Sequence, residues 1–229
     1  MSKVLVLSYC VFVVACAQRD LTVEFLRSGT YTFSLTEKEA IERVARAALK
    51  EVRPLLPTLP TKIALMVRPG TDVIEETGET AAAMPPNAIM WTVNPGSDGG
   101  VSEVTNKWLR ATLFHELHHL ARATAGAPRS IVDQAVYEGM ATAFERDFAK
   151  VQTPWGAYPP NVNEWAVELR SLPDNASQRD WIYSHPDGRR WIGIKVGTYW
   201  VDKAMAKSRR SAADLCTTPS RALLALIQN

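Results

Sequence analysis

The run His115, Glu116, Leu117, His118, His119 is the part of this chain best suited to chemistry. Residues four apart on an α-helix stand one above the other, so the imidazoles of His115 and His119 can converge on one ion with Glu116 beside it. A catalytic zinc keeps three protein ligands and a water whose pKa it lowers to about 7, and a nearby carboxylate takes up the proton. The H-E-x-x-H spacing therefore points to a zinc hydrolase with Glu116 as general base.

The segment that carries the pentad, Ser102 to Ala125, has no proline and is closed by Gly126 and Pro128, which predicts a single helix of about six turns. At about 100° per residue, Leu109, Leu113, Leu117 and Leu120 share one arc, and Trp108, Ala111, Thr112, His115 and His119 share the opposite one. Neither arc is the charged face of a surface helix, so both are expected to be buried or to face a cleft. His118 is expected beside the ion rather than on it, because a fourth protein ligand would leave no place for water.

A third ligand must come from another element. Ser130 and Asp133 form an S-x-x-D start after Pro128, and a helix is expected from Ile131 to Phe148. Glu138 lies on a face with Ala135, Ala141 and Thr142, small enough for close approach to the His115 helix, and is the expected third ligand. Gly139, which costs roughly 1 kcal/mol inside a helix, suggests a backbone contact at the same place. Glu145, two turns along, is the alternative in a different register.

From Leu113 to Tyr158 the chain, with HELHH, then AVYEGMATAF, then TPWGAYP, resembles a bacterial family of predicted zinc-dependent proteases of gluzincin-like type. The family pattern of HExxH followed about nineteen residues later by an E-G pair falls on His115, Glu116 and His119, then on Glu138 with Gly139. The resemblance implies an α+β, zincin-like fold, in which a small N-terminal sheet packs on a helical catalytic half with the active-site helix between them. It also implies zinc as cofactor and a peptide or protein as substrate. Gly193 and Gly197 match the family's closing Gly-x-x-x-Gly helix, without its usual tyrosine beside the first glycine. The donor that stabilises the oxyanion is thus left to the residues themselves. His185, the one histidine outside the pentad, and Tyr199, on the Gly-x-x-x-Gly helix, lead as catalytic candidates, with Tyr183 behind them.

The elements that must hold this site are read more coarsely. Leu21 to Ser34 is expected to be extended, turning at Gly29. A helix is expected from Thr36 to Arg53, with Thr36 and Glu39 as capping box and Ile41, Val44, Ala48 and Val52 facing a core. Strands are expected at Lys62–Val67 and Ala88–Val93; in the zincin-like fold that the resemblance implies, the second would form the lip of the cleft, with Met90, Trp91 and Thr92 either against substrate or ordinary strand residues. Trp155 and Tyr158 either line the cleft or pin their turn-rich loop to the core. Further helices are expected at Asn161–Leu172, Trp191–Lys207 and Ser220–Ile227, with a long loop over Pro173–Arg189.

Composition fits one globular domain over residues 16–229: 46% hydrophobic and 22% charged residues are ordinary values. With 26 basic and 24 acidic side chains the net charge is only +2, and no basic cluster indicates nucleic acid as a partner. Residues 1–15 read as an export signal, Lys3 preceding an apolar stretch too short to span a membrane. Val13, Val14, Ala15, Cys16 resembles a bacterial lipoprotein processing site. This predicts a lipid on Cys16, membrane anchorage, and a cell-envelope location facing the periplasm. Cys10 would leave with the signal and Cys216 would stand alone, so no internal disulfide is expected. The alternative to a peptidase is a lipid-anchored binding or assembly protein that keeps the zincin fold without turnover.

Overall fold

The computed structural model describes residues 20–173 and 175–228. The expected signal and Cys16, expected to carry a lipid, lie outside these residues. The chain runs β1 (Leu21–Phe25), α1 (Leu35–Val52), β2 (Ile63–Pro69), β3 (Glu79–Met84) and β4 (Ala88–Val93), and then turns helical. The sheet order is β1-β2-β4-β3, with β1, β2 and β4 parallel and β3 antiparallel at the edge. The β2 sequence alternates so that Ile63, Leu65 and Val67 are buried, and they join Ile41, Ala45, Ala48, Leu49 and Val52 of α1 in one core.

The N-terminal half departs from two expectations. The box that starts α1 is Ser34 with Glu37, not Thr36 with Glu39: the Glu37 amide donates to Ser34 Oγ at 3.2 Å, and the Glu37 carboxylate accepts from the Ser34 amide at 2.7 Å. The Tyr31 hydroxyl also donates to Glu37, which favours the earlier start. The cleft lip is β3, not β4. Trp91 and Thr92 are buried because β4 is an interior strand, paired on both sides. The sequence of β3, ETAAAM, carries little of the β-branched or aromatic character that marks strands, and its conformation is imposed by pairing with β4.

The helix that carries the H-E-x-x-H pentad is continuous from Gly100 to Ala125. It consists of α2 (Gly100–Val104), a π-helical turn (Thr105–Leu109), α3 (Arg110–Arg122) and a closing 3₁₀ turn (Ala123–Ala125). Every residue from Ala111 to Arg122 is buried, as expected of a helix with no solvent face. After the Ser130 cap, where the Asp133 amide donates to Ser130 Oγ at 3.1 Å, α4 (Ile131–Phe144) continues as a π-helical turn over Glu145–Ala149. α5 (Val162–Arg170), a π-helical turn at Arg179–Tyr183, α6 (Ile192–Ser208) and α7 (Ser220–Gln228) complete an α+β fold.

The close approach at Gly139 is made with α6, not with the His115 helix. A Cβ on Gly139 would lie 2.1 Å from the Gly197 carbonyl carbon, and one on Gly197 would lie 1.7 Å from the Ala135 oxygen. Paired glycines let the two backbones touch. Gly139 is about 100° round the helix from Glu138, so α4 leans on α6 with one face and offers Glu138 to α3 with the next. Among the described residues, no helix is long and apolar enough to cross a membrane.

Candidate metal centre

α3 and α4 bring His115, His119 and Glu138 together. One ligand atom from each lies within 4.8 Å of the other two, and all three residues are almost fully buried. Both imidazoles address the same oxygen: His115 Nε2 is 3.3 Å and His119 Nε2 is 3.4 Å from Glu138 Oε2. A tetrahedral zinc with ligands at about 2.0–2.2 Å sets neighbouring ligand atoms about 3.3–3.6 Å apart, so these separations fit one ion.

Protonation supports the same fit. Glu145 is buried, and its Oε2 lies 3.1 Å from His115 Nδ1. A carboxylate accepts, so Glu145 holds a ring proton on Nδ1 and leaves Nε2 to meet Glu138 through a second proton or through a cation. Two acceptors at 3.3 Å repel unless a cation or a proton lies between them. Burial disfavours a charged His115, yet the hydrogen bonds it donates to Glu138 and Glu145 outweigh it and hold its pKa well above the usual histidine value. For Glu138, burial is outweighed by the two histidines, and its pKa is depressed. The pocket is built to hold positive charge.

Glu145, the rival ligand in the sequence reading, thus sits on the other nitrogen of His115. Seven residues return a helix to within about 20° of the same face, which is why Glu138 and Glu145 address one ring. Trp155 Nε1 also donates to Glu145, at 3.3 Å, and fixes it. His119 is held differently, its ring lying flat on Tyr137 with centroids 4.1 Å apart and planes 6° apart.

Glu116 is buried, and its Oε2 has no hydrogen-bond partner. Burial pushes its pKa up, the charges of His115 and His119 oppose this, and the Ala83 amide of β3 faces it. A raised, partly unpartnered carboxylate beside a cationic pocket can take and return a proton. His118 is fully buried against Phe144, and neither ring nitrogen is hydrogen bonded. Burial holds it neutral, outside the ligand group.

The site opens into a cavity of about 220 Å³ walled by β3, α3, α4 and the residues around Tyr183 and Trp191. Trp155 lines it, whereas Tyr158 turns to Asp202. Tyr183 and Tyr137 line it too; the charge of Glu138 and burial raise the pKa of Tyr183, and burial, then the charge of Glu138, raise that of Tyr137, so each remains a hydrogen-bond donor at neutral pH.

The two leading donor candidates are not brought to the site. His185 lies past Tyr183 in a turn, paired with Asp187 at 2.8 Å and packed on Trp181. Tyr199 is bonded to Asn163 and packs on Tyr158. It is five residues beyond Ile194, which lines the cavity, and therefore about 140° round α6 from it. Three residues at the site escaped the sequence reading in their present roles. Tyr137 precedes the identified Glu138 and was open to the same helical argument. Ala83 and Glu79 belong to the strand that composition hid.

A family model described as "Predicted Zn-dependent protease (DUF2268)" matches residues 37–225. No curated protein and no solved structure matches the chain.

Proposed function

This chain belongs to the family of predicted Zn-dependent proteases, and from that premise we propose that it is a zinc-dependent peptidase of gluzincin-like type in a zincin-like fold. The observation that carries the reading is the meeting of both HExxH histidines on one Glu138 oxygen with the raised Glu116 carboxylate next to them.

His115, His119 and Glu138 would hold the ion. Zinc, when bound, supplies a Lewis acid that polarises the peptide carbonyl and lowers the pKa of water to about 7. Glu116 takes the proton of the attacking water and passes it to the leaving amine. Glu145 keeps the proton of His115 on Nδ1 and so keeps Nε2 available. Tyr183 is the preferred donor to the carbonyl oxygen: it lines the cavity and is 47% exposed, so substrate can reach it. An extended peptide would add to the outer edge of β3, where strand pairing gives affinity independent of side chains. Export and a lipid on Cys16 complete the proposal, and both rest on the N-terminal sequence.

The test is Glu116→Gln. Peptide hydrolysis should fall by about 10²–10⁴-fold with zinc content unchanged. Cleavage at the wild-type rate would sink the mechanism, and an inactive wild type that still binds zinc and peptide would favour the non-catalytic binding protein.

A further inference from the structure

The cavity holds one more carboxyl group than the metal and its base require. Besides Glu116 and Glu138 it is lined by Glu79, the first residue of β3, which is 1% exposed. Its carboxylate accepts from Trp91 Nε1 at 2.6 Å and from Thr112 Oγ1 at 3.1 Å. Thr112 is three residues before His115, so Glu79 sits about one helical turn along the cleft from the ligands. Both its donors are neutral, and a carboxylate has further acceptor capacity.

Among the described residues, no lysine or arginine lines the cavity. Arg190, next to the lining residue Trp191, is engaged by Glu76. A buried carboxylate without a cation is costly, and burial, with the charges of Glu145 and Glu116 adding to it, pushes Glu79 up to about 7. A strut between β3, β4 and α3 needs an acceptor but no charge, and glutamine would provide one. The remaining walls near Glu79 include Ile74, Trp155, Trp191 and Ile194, which suit the apolar stem of a long side chain.

We propose that Glu79 receives the cationic head of a lysine or arginine side chain close to the scissile bond, so that the substrates are basic peptides. This rests on the peptidase reading and deepens it.

The experiment is digestion of a peptide mixture, varied at each position around the cleavage site, by the zinc-loaded protein, with products read by mass spectrometry. Peptides with Lys or Arg at one position should show kcat/KM about tenfold or more above their Leu counterparts, and Glu79→Gln should bring that ratio near one. Trp91→Phe removes one strut bond but leaves the carboxylate, and should keep the ratio. Should Glu79→Gln melt below the assay temperature, Ile74→Lys, which brings a competing cation to the cavity, must abolish the preference instead. Cleavage without a basic preference, or a preference that survives these charge changes, overturns the inference and leaves the peptidase reading intact. If nothing is cleaved, the peptidase reading fails, and agmatine, a guanidinium on an apolar stem, decides by calorimetry. Binding to the wild type about tenfold tighter than to the Glu79 variant supports the cation site, and equal binding overturns it.

Discussion

The two walls of the cleft differ in how they are built. The wall formed by α3 and α4 is largely buried, with each expected ligand held by a neighbour: His115 by Glu145, Glu138 by Gln134, His119 by Tyr137. The facing wall, β3 and the turn ending at Tyr183, is open at its rim, with Met84 45% and Tyr183 47% exposed. The contrast separates two tasks. The helical wall holds a charged site in fixed geometry, where small displacements are costly, and the open wall admits a chain and contributes groups that act only once it is seated.

Substitutions on the two walls should therefore fail in different ways. Among substitutions that leave the three ligands and Glu116 in place, the largest effect is expected on the open wall. Tyr183→Phe should lower kcat by about 10²–10³-fold, the cost of one oxyanion donor, while zinc affinity and melting temperature stay near wild type. An unchanged kcat with a raised KM would reduce Tyr183 to a substrate contact and shift the donor role to Tyr137.

Where the walls meet, Glu79 should govern a pH effect. Its folded pKa, about 7, lies above the ordinary 4.5, so between these values the folded chain binds more protons than the unfolded one. Its contribution is neutral below pH 4.5 and becomes destabilising as pH rises through 7, by at most on the order of 3 kcal/mol. Denaturant melts across that range should show this fall in stability, and Glu79→Gln should flatten it. Equal pH profiles for the two proteins would contradict the burial of an unpaired charge.

The smallest effect belongs to the helical wall. Glu145→Gln puts an amide in place of the acceptor on His115 Nδ1 and should weaken zinc binding by about 10–100-fold in a chelator competition. With zinc saturating, most of the activity should return. Loss of activity that zinc does not restore would place Glu145 in the chemistry itself.

The same division explains what the sequence discloses. The helical wall is legible because its information is periodic: i and i+4 place His115 over His119, and the S-x-x-D start fixes the phase of Glu138. Even Glu145 was visible on the correct face, though which nitrogen of His115 it meets depends on the packing of two helices. The open wall is not periodic. β3 is half alanine and exists because β4 offers it an edge, so the strand that looked like the lip proved to be the one behind it. Tyr183 ends an isolated π-helical turn in a long loop, and nothing local distinguishes it from His185 or Tyr199. Gly139 announced a close contact but not its partner, because only the folded chain sets Gly197 opposite it.

The claim on which the rest depends is that His115, His119 and Glu138 form one zinc site. The direct test is the zinc content of the metal-replete protein beside that of Glu138→Ala. One zinc per chain in the wild type, lost or much weakened in the variant while the melting profile stays cooperative, is the predicted result. A wild type that holds no zinc, or a variant that holds it as tightly, would contradict the ligand set.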